Sequence, residues 1–202
     1  MNNLHCISRI VSAIVVAVLM HGCATTVDFR GGGDAKKLRT QLYQLEDFKL
    51  TGKLGFRNSD EAFSVAVNDW TQAADHFQID LSSTFFGLGA VRLSGTAAWI
   101  KVEEAGEEPI ESYHPNETLE QLLGAALPIQ RIRYWIRGVP APQSSASEEK
   151  NELGLVKSMT QDGWTIDLDR YQDINGLPLP GRIKILRADT RITLAVASWS
   201  IN

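Results

Sequence analysis

The chain has 202 residues, of which 20 are Lys or Arg and 24 are Asp or Glu, so its formal net charge is −4. This slightly acidic balance excludes a protein that binds nucleic acid or anionic lipid through a basic surface, because that attraction needs clustered positive charge. The two cysteines, Cys6 and Cys23, exclude a disulfide framework, so a stable fold must rest on a hydrophobic core.

The N-terminal segment is typical of a secretory signal peptide. An apolar run over residues 10–20 follows Arg9 and is shorter than the about 20 residues that a membrane-spanning helix requires. Gly22 and Cys23 follow the run and resemble the end of a bacterial lipobox, although His21 stands where that motif favours a small residue. An ordinary secretory signal with a chance cysteine is the alternative interpretation.

The lipobox resemblance implies how the chain is processed and sorted. Residues 1–22 would be cleaved, and Cys23 would carry an S-diacylglycerol group and an N-linked fatty acyl chain such as palmitate. Ala24, where Asp would mark retention in the inner membrane, resembles the signal for export. We therefore expect a lipoprotein anchored in the outer membrane and facing the periplasm.

The mature chain is predicted to consist of a tether and one domain. Residues 23–35 contain three consecutive glycines and few apolar residues, which indicates a flexible, acylated tether. Residues 36–202 are long enough for a single domain with a sizeable core. The domain should begin with an amphipathic helix, because Leu38, Leu42 and Leu45 recur at helical spacing.

From Phe48 onward the apolar period changes to two, which is the period of half-buried strands. The alternation recurs in at least eight segments that are separated by short polar turns. Strands in meander order with one apolar face predict an antiparallel sheet that curls into a barrel or a half-barrel.

A helical insertion interrupts the strands at about residues 115–138. The first helix is expected to be capped by Asn116, and the second to end at Gly138. Both helices have an apolar face, which we expect to cover the concave side of the sheet. Residues expected on these faces are Leu119, Leu122, Leu123, Ile132, Trp135 and Ile136.

Residue types that carry catalysis are sparse. The mature chain has only His76 and His114, far apart, and it lacks nucleophile, zinc and nucleotide-binding motifs. The sequence therefore predicts a protein that is not an enzyme and that holds no metal and no cofactor besides its own acyl groups.

One predicted loop is apolar where loops are normally polar. Phe85, Phe86 and Leu88 lie between two strands. They either fold back as a plug in the core or form an exposed tip that enters a bilayer or a partner's groove.

These features together resemble the LolB family over nearly the whole mature chain, from Gln44 to Ser200. The residues that carry the resemblance are Trp135-x-x-Gly138-x-Pro140, Tyr171, Pro180 and the Phe86-Gly87 tip. The resemblance implies a mainly β (α+β) fold, an incomplete antiparallel β-barrel of about ten or eleven strands that encloses an apolar cavity under a helical lid.

The resemblance also implies a function that needs neither ATP nor covalent chemistry. A LolB-like protein accepts acylated lipoproteins from the periplasmic carrier LolA and inserts them into the inner leaflet of the outer membrane. Its partners would be LolA, the acyl chains of client lipoproteins and outer-membrane lipid, and it would act as a monomer. Phe85, Phe86 and Leu88 would form the membrane-insertion loop, and Trp70 and Trp99 would join the helical residues as candidates for the cavity wall.

Other functions remain open at this point. The chain fits a structural outer-membrane lipoprotein with a filled core, a general periplasmic lipid-binding protein, or a hydrolase whose site lacks a known motif. Saturable uptake of a hydrophobic dye that a lipopeptide displaces distinguishes a cavity from a filled core, and turnover of an ester or peptide would reveal the hydrolase.

Overall fold

The computed structural model of the protein describes residues 32–82, 89–125 and 127–201. Within these ranges the helices are α1 (Gly32–Gln44), α2 (Pro115–Leu123) and α3 (Ile129–Trp135). The strands are β1 (Phe48–Arg57), β2 (Ala62–Ala73), β3 (His76–Ser82), β4 (Ala90–Gly95), β5 (Ile100–Glu104), β6 (Ile110–Ser112), β7 (Ser147–Lys150), β8 (Val156–Gln161), β9 (Trp164–Asp169), β10 (Gln172–Ile174), β11 (Leu177–Leu179), β12 (Arg182–Arg187) and β13 (Thr190–Ile201).

Eleven strands form one antiparallel sheet in the order β6-β5-β4-β3-β2-β1-β13-β12-β9-β8-β7, and β10 pairs with β11 separately. The pairing of β1 with β13 brings the two ends of the domain together at the centre of the sheet. The outermost strands, β6 and β7, do not pair with each other, so the barrel is open. The fold class predicted from the sequence, a mainly β, incomplete antiparallel barrel with helices, is confirmed.

Alternation along the strands places apolar side chains on one face, here called the inward face. In β9, Trp164, Ile166 and Leu168 are buried, and in β12 the buried residues are Ile183 and Ile185. Residues that are directly opposite in an antiparallel pair point to the same side, so register extends this face across the sheet. The buried residues of the inward face form one hydrophobic core with those of the helices.

The three helices differ from expectation at their ends. Helix α1 begins at Gly32, so the last residues of the segment predicted to be a tether are helical. Helix α2 begins with Pro115 at its first turn and has no side-chain capping hydrogen bond, so the prediction that Asn116 caps it is wrong. Helix α3 ends at Trp135 instead of Gly138, because residues 136–138 form turns. For α2, Pro115 at the first turn costs no hydrogen bond, which explains how that helix starts without a side-chain cap.

Among the described residues, no helix has both the length and the apolar character needed to cross a membrane.

Candidate functional site

The inward face can be followed row by row across the central strands, because each residue has a known partner on the next strand. One row, here called the Trp70 row, consists of Trp199, Leu50, Trp70, Ile79, Leu93 and Val102. The next row toward the β3–β4 connection consists of Val196, Gly52, Val67, Leu81 and Val91. Both rows are apolar throughout.

Burial changes along this face. Leu50, Val67 and Trp70 are buried, with exposures of 1%, 2% and 4%. By contrast, five apolar side chains on the same face pack against the core but are only half-buried. We call them the mouth residues: Leu54, Phe63, Leu81, Val91 and Leu93. Leu81 and Val91 are the last inward residues before the β3–β4 connection. The apolar interior therefore reaches solvent at this end of the sheet.

Helix α3 is attached to the sheet by side-chain hydrogen bonds at several points. Gln130 donates to the carbonyl oxygen of Ala97 at 2.7 Å, and Arg133 donates to that of Ala74 at 2.9 Å. Arg131 forms an ion pair with Asp162 in the turn between β8 and β9. These contacts hold α3 across the sheet, in the position expected of a helical lid.

The lid residue that the sequence emphasised, Trp135, is fully buried and acts as an anchor. Its indole N–H donates to Oε1 of Gln161 at 2.7 Å, and its ring lies 6.2 Å from that of Trp164. The same Oε1 accepts from the backbone N–H of Ala141 at 2.9 Å, and Nε2 of Gln161 donates to the carbonyl oxygen of Ala141 at 2.8 Å. One buried amide thus fixes α3 and the following segment to β8.

A second anchor joins the lid to α1. Arg137 is buried, and its guanidinium donates to the carbonyl oxygens of Leu42 and Leu45 at the C-terminal end of α1. Burial lowers the pKa of Arg137 to about 10, so the group stays protonated at neutral pH. Because the last carbonyls of a helix carry partial negative charge, the cation stabilises this helix end. The rings of Phe48 and Tyr134 lie 6.0 and 5.0 Å from the guanidinium carbon.

Helix α2 is attached less firmly than α3. Leu119 is buried and Leu123 half-buried, but Leu122 is 42% exposed and does not join the inward face as expected. The side-chain hydrogen bond at its end runs from Asn58 to the carbonyl oxygen of Leu123, at 3.2 Å. Gly124 then ends the helix in the left-handed conformation, with φ of 65°.

The remaining predicted wall residues fall into two groups. Ile132 and Ile136 are buried in the core beside Trp135, and Trp70 lies in the middle of its row. Trp99 is half-buried in the turn between β4 and β5 and belongs to neither inward row. Cys23 and the loop residues Phe85, Phe86 and Leu88 lie outside the described residues.

Sequence reasoning missed Gln161 and Arg137. Gln161 lies two residues after the buried Met159 and therefore on the same, inward face of β8. A polar residue at an inward position of the strand pattern is a sequence signal that indicates a buried hydrogen-bonding role. Arg137 lies in the turn that follows α3, but its partners lie 95 and 92 residues away, and no local pattern reveals them.

Within the described ranges, no group of three or more His, Cys, Asp or Glu side chains lies close enough to hold a metal ion. The chemistry that this site offers is burial of apolar surface next to a few buried hydrogen-bonding groups.

Comparison with known proteins points to one family. A family model described as outer membrane lipoprotein LolB matches residues 46–199. The outer-membrane lipoprotein LolB of Pseudomonas paraeruginosa is 34% identical over 197 residues, covering 95% of each chain. That of Stutzerimonas stutzeri is 33% identical over 190 residues, covering 91% of each chain.

Among solved structures, a LolA superfamily protein from Nitrosomonas europaea has a similar fold, with a TM-score of 0.51 at 8% identity. The match covers 83% of this chain and 93% of that chain.

Proposed function

Because the chain belongs to the family of the outer membrane lipoprotein LolB, we propose that it accepts acylated lipoproteins from the periplasmic carrier LolA and inserts them into the inner leaflet of the outer membrane. The protein itself would be anchored in that membrane by acyl groups on Cys23 and would face the periplasm. It would work as a monomer and use no cofactor.

The observation that carries this proposal is the solvent-reaching apolar surface of the inward face. Leu81, Val91 and Leu93 are half-buried although their strand neighbours, Val67 and Ile79, are buried. An acyl chain laid against such side chains would remove their remaining exposed surface from water, at a gain of about 25 cal/mol per Å². The mouth residues therefore fit the hydrocarbon part of a lipoprotein.

Transfer in this scheme is driven by the difference in burial between the carrier and this protein. Each methylene group that moves into a better buried position gains roughly 0.8 kcal/mol. A few such groups direct the client onward without ATP.

We assign the moving part of the lid to α2 and the fixed part to α3. Helix α3 is held at Ala97, Ala74, Asp162 and Gln161. Among the described residues, the side-chain hydrogen bond that holds the end of α2 comes from Asn58, beside Gly124. Space for acyl chains would open where α2 moves away from the mouth residues.

The proposal is tested on the Cys23→Ser protein, which stays unacylated. It should take up an environment-sensitive hydrophobic dye to saturation, a diacylated lipopeptide should displace the dye, and client loaded on LolA should pass to it. Val91→Gln should weaken lipopeptide binding several-fold, because it places an amide among apolar side chains. Ala90→Gln, one residue away on the exposed face of β4, is the matched control.

Three results would decide against the proposal or narrow it. A folded protein that takes up no dye has a filled core and acts as a scaffold. Lipopeptide binding without transfer from LolA identifies a general lipid-binding protein. Equal weakening by Val91→Gln and Ala90→Gln shows that the acyl chains do not lie at the mouth.

A further inference from the structure

We propose that the indole N–H of Trp70 donates a hydrogen bond to an ester carbonyl of the client's acyl chains, and so selects acyl esters over plain alkyl chains. The inference rests on the proposed function and adds to it a polar contact between the inward face and the lipid.

Trp70 differs from Trp135 and Trp199, two other buried tryptophans, in the hydrogen bonding of its indole N–H. Trp135 donates to Gln161 at 2.7 Å and Trp199 to the carbonyl oxygen of Pro180 at 3.0 Å. Trp70 is 4% exposed, and among the described residues its Nε1 has no hydrogen-bond partner. Burial of a donor without an acceptor is unfavourable, so such a group calls for an explanation.

The neighbours of Trp70 explain why the protein offers it no acceptor. Leu50 and Ile79 lie directly opposite it on β1 and β3, and the row continues through Leu93 and Val102 on one side and Trp199 on the other. The aliphatic side chains have no polar atom, and the Trp199 indole is itself a donor. No side chain of the Trp70 row can therefore accept this hydrogen bond, and an acceptor on a bound molecule would satisfy it.

The depth of Trp70 favours a carbonyl at the head of an acyl chain. The Trp70 row lies one pleat repeat, about 7 Å, from the row of the half-buried Leu81 and Val91. The polypeptide of a bound lipoprotein stays in water at the mouth, so the glycerol esters follow it a short distance inside and the methylenes lie deeper. An acyl chain carries acceptor oxygens only at this head, which matches a single donor near the entrance.

The experiment compares two ligands that differ only in these carbonyls. One is a diacylated lipopeptide with ester-linked chains, and the other is its dialkyl ether analogue with chains of equal length. Each is titrated into the Cys23→Ser protein with Trp70 intact and into the same protein with Trp70→Phe. The intact protein should prefer the ester by about five- to tenfold, the size expected of one buried hydrogen bond. Trp70→Phe should bind both ligands with equal affinity, close to that of the ether.

Trp199→Phe is the matched control, because the Trp199 N–H already has a partner and its loss should leave the ester-to-ether ratio unchanged. The indole ¹H–¹⁵N resonance of Trp70 in the intact protein is a second readout that does not depend on a variant. Its proton should move downfield with the ester and not with the ether.

An intact protein that binds both ligands equally, or an indole shift that is the same with both, overturns the role of Trp70 and leaves the proposed function standing. If neither ligand binds, the proposed function itself is wrong and the inference falls with it.

Discussion

At the scale of single residues, Arg137 is the charged group on which the arrangement of α1 and the lid depends most directly. Arg137→Met should keep much of the side-chain volume but leave the carbonyl oxygens of Leu42 and Leu45 without their donor. We expect a loss of about 2–4 kcal/mol in the free energy of unfolding, since hydrogen bonds to buried charged groups are among the strongest. Urea unfolding measures it, and Arg57→Met, on an exposed side chain, is the control.

An effect of Arg137→Met no larger than that of Arg57→Met would show that the guanidinium is not needed to hold α1.

Gln161 offers a prediction with a pH dependence. Gln161→Glu keeps the acceptor for Trp135 but turns the Nε2 donor, which bonds the carbonyl oxygens of Ala141 and Ser144, into an acceptor. A buried carboxylate against carbonyl oxygens should have a raised pKa, so the folded state would favour its protonated form. The variant should lose about 2–4 kcal/mol at pH 7 and regain part of it as the pH falls toward that of an ordinary Glu.

The sign follows from proton counts. Between the ordinary pKa of Glu and the raised value, the folded state binds more protons than the unfolded state, so stability rises as the pH falls. Thermal unfolding at pH 5 and pH 7 measures the difference between variant and wild type. Gln143→Glu, on an exposed residue, should show no such trend. A pH-independent loss in Gln161→Glu would contradict the assignment of its two donor bonds.

At the scale of elements, the two helices of the lid should differ in mobility. Helix α3 has side-chain bonds to the carbonyl oxygens of two turns between strands, at Ala74 and Ala97, and to the amide of Gln161 on β8. Among the described residues, α2 has the bond from Asn58. Local opening is easier where fewer contacts must break, so amide hydrogens of α2 should exchange faster than those of α3. Hydrogen exchange read by mass spectrometry measures both. Arg133→Met should raise the exchange rate of α3 toward that of α2, because it removes the bond to Ala74. Equal protection of the two helices in the wild type would refute a mobile α2.

The β3–β4 connection is the element at which we expect acceptance and delivery of a client to separate. If Phe86 is an exposed tip, which is one of the two alternatives that the sequence leaves open, Phe86→Glu should cost less than about 0.5 kcal/mol of stability. Insertion of a client into liposomes should nevertheless fail, because a carboxylate resists burial in lipid. Capture of the client from LolA should persist, so a loaded intermediate should accumulate.

Phe86→Leu, which keeps an apolar tip, is the control and should insert clients normally. Unfolding by Phe86→Glu would mean that the loop is a core plug, and insertion at the wild-type rate would mean that it has no role at the membrane.

At the scale of the whole molecule, attachment to the membrane should depend on one residue. Cys23→Ser should give a protein that is either uncleaved or released in soluble form, because acyl chains on Cys23 are the anchor that the sequence implies. Fractionation of membranes after cleavage of the leader measures this. Cys6→Ser, within the leader, should leave attachment unchanged. A cleaved Cys23→Ser protein that remains on the membrane would contradict the lipoprotein assignment.

The fold class and the expected cellular location of the protein follow from local sequence patterns. A period of two along the strands is enough to predict an antiparallel sheet with one apolar face, since side-chain direction alternates along any strand. The prediction of a signal peptide that ends before Cys23 rests on the linear sequence alone, because processing enzymes recognise such segments without tertiary context. The family resemblance also rests on a linear pattern, the spacing of Trp135, Gly138 and Pro140.

Which of the apolar residues become anchors, walls or surface is decided by contacts between distant parts of the chain. Trp135 meets Gln161, 26 residues later, and so holds the lid, while Leu122 on the same apolar pattern remains exposed. Shifts of register between Leu50 and Gly52 and between Val67 and Asp69 set the row in which Trp70 lies. Burial and hydrogen-bond satisfaction are properties of the packed molecule, and the same periodicity is compatible with any of these outcomes.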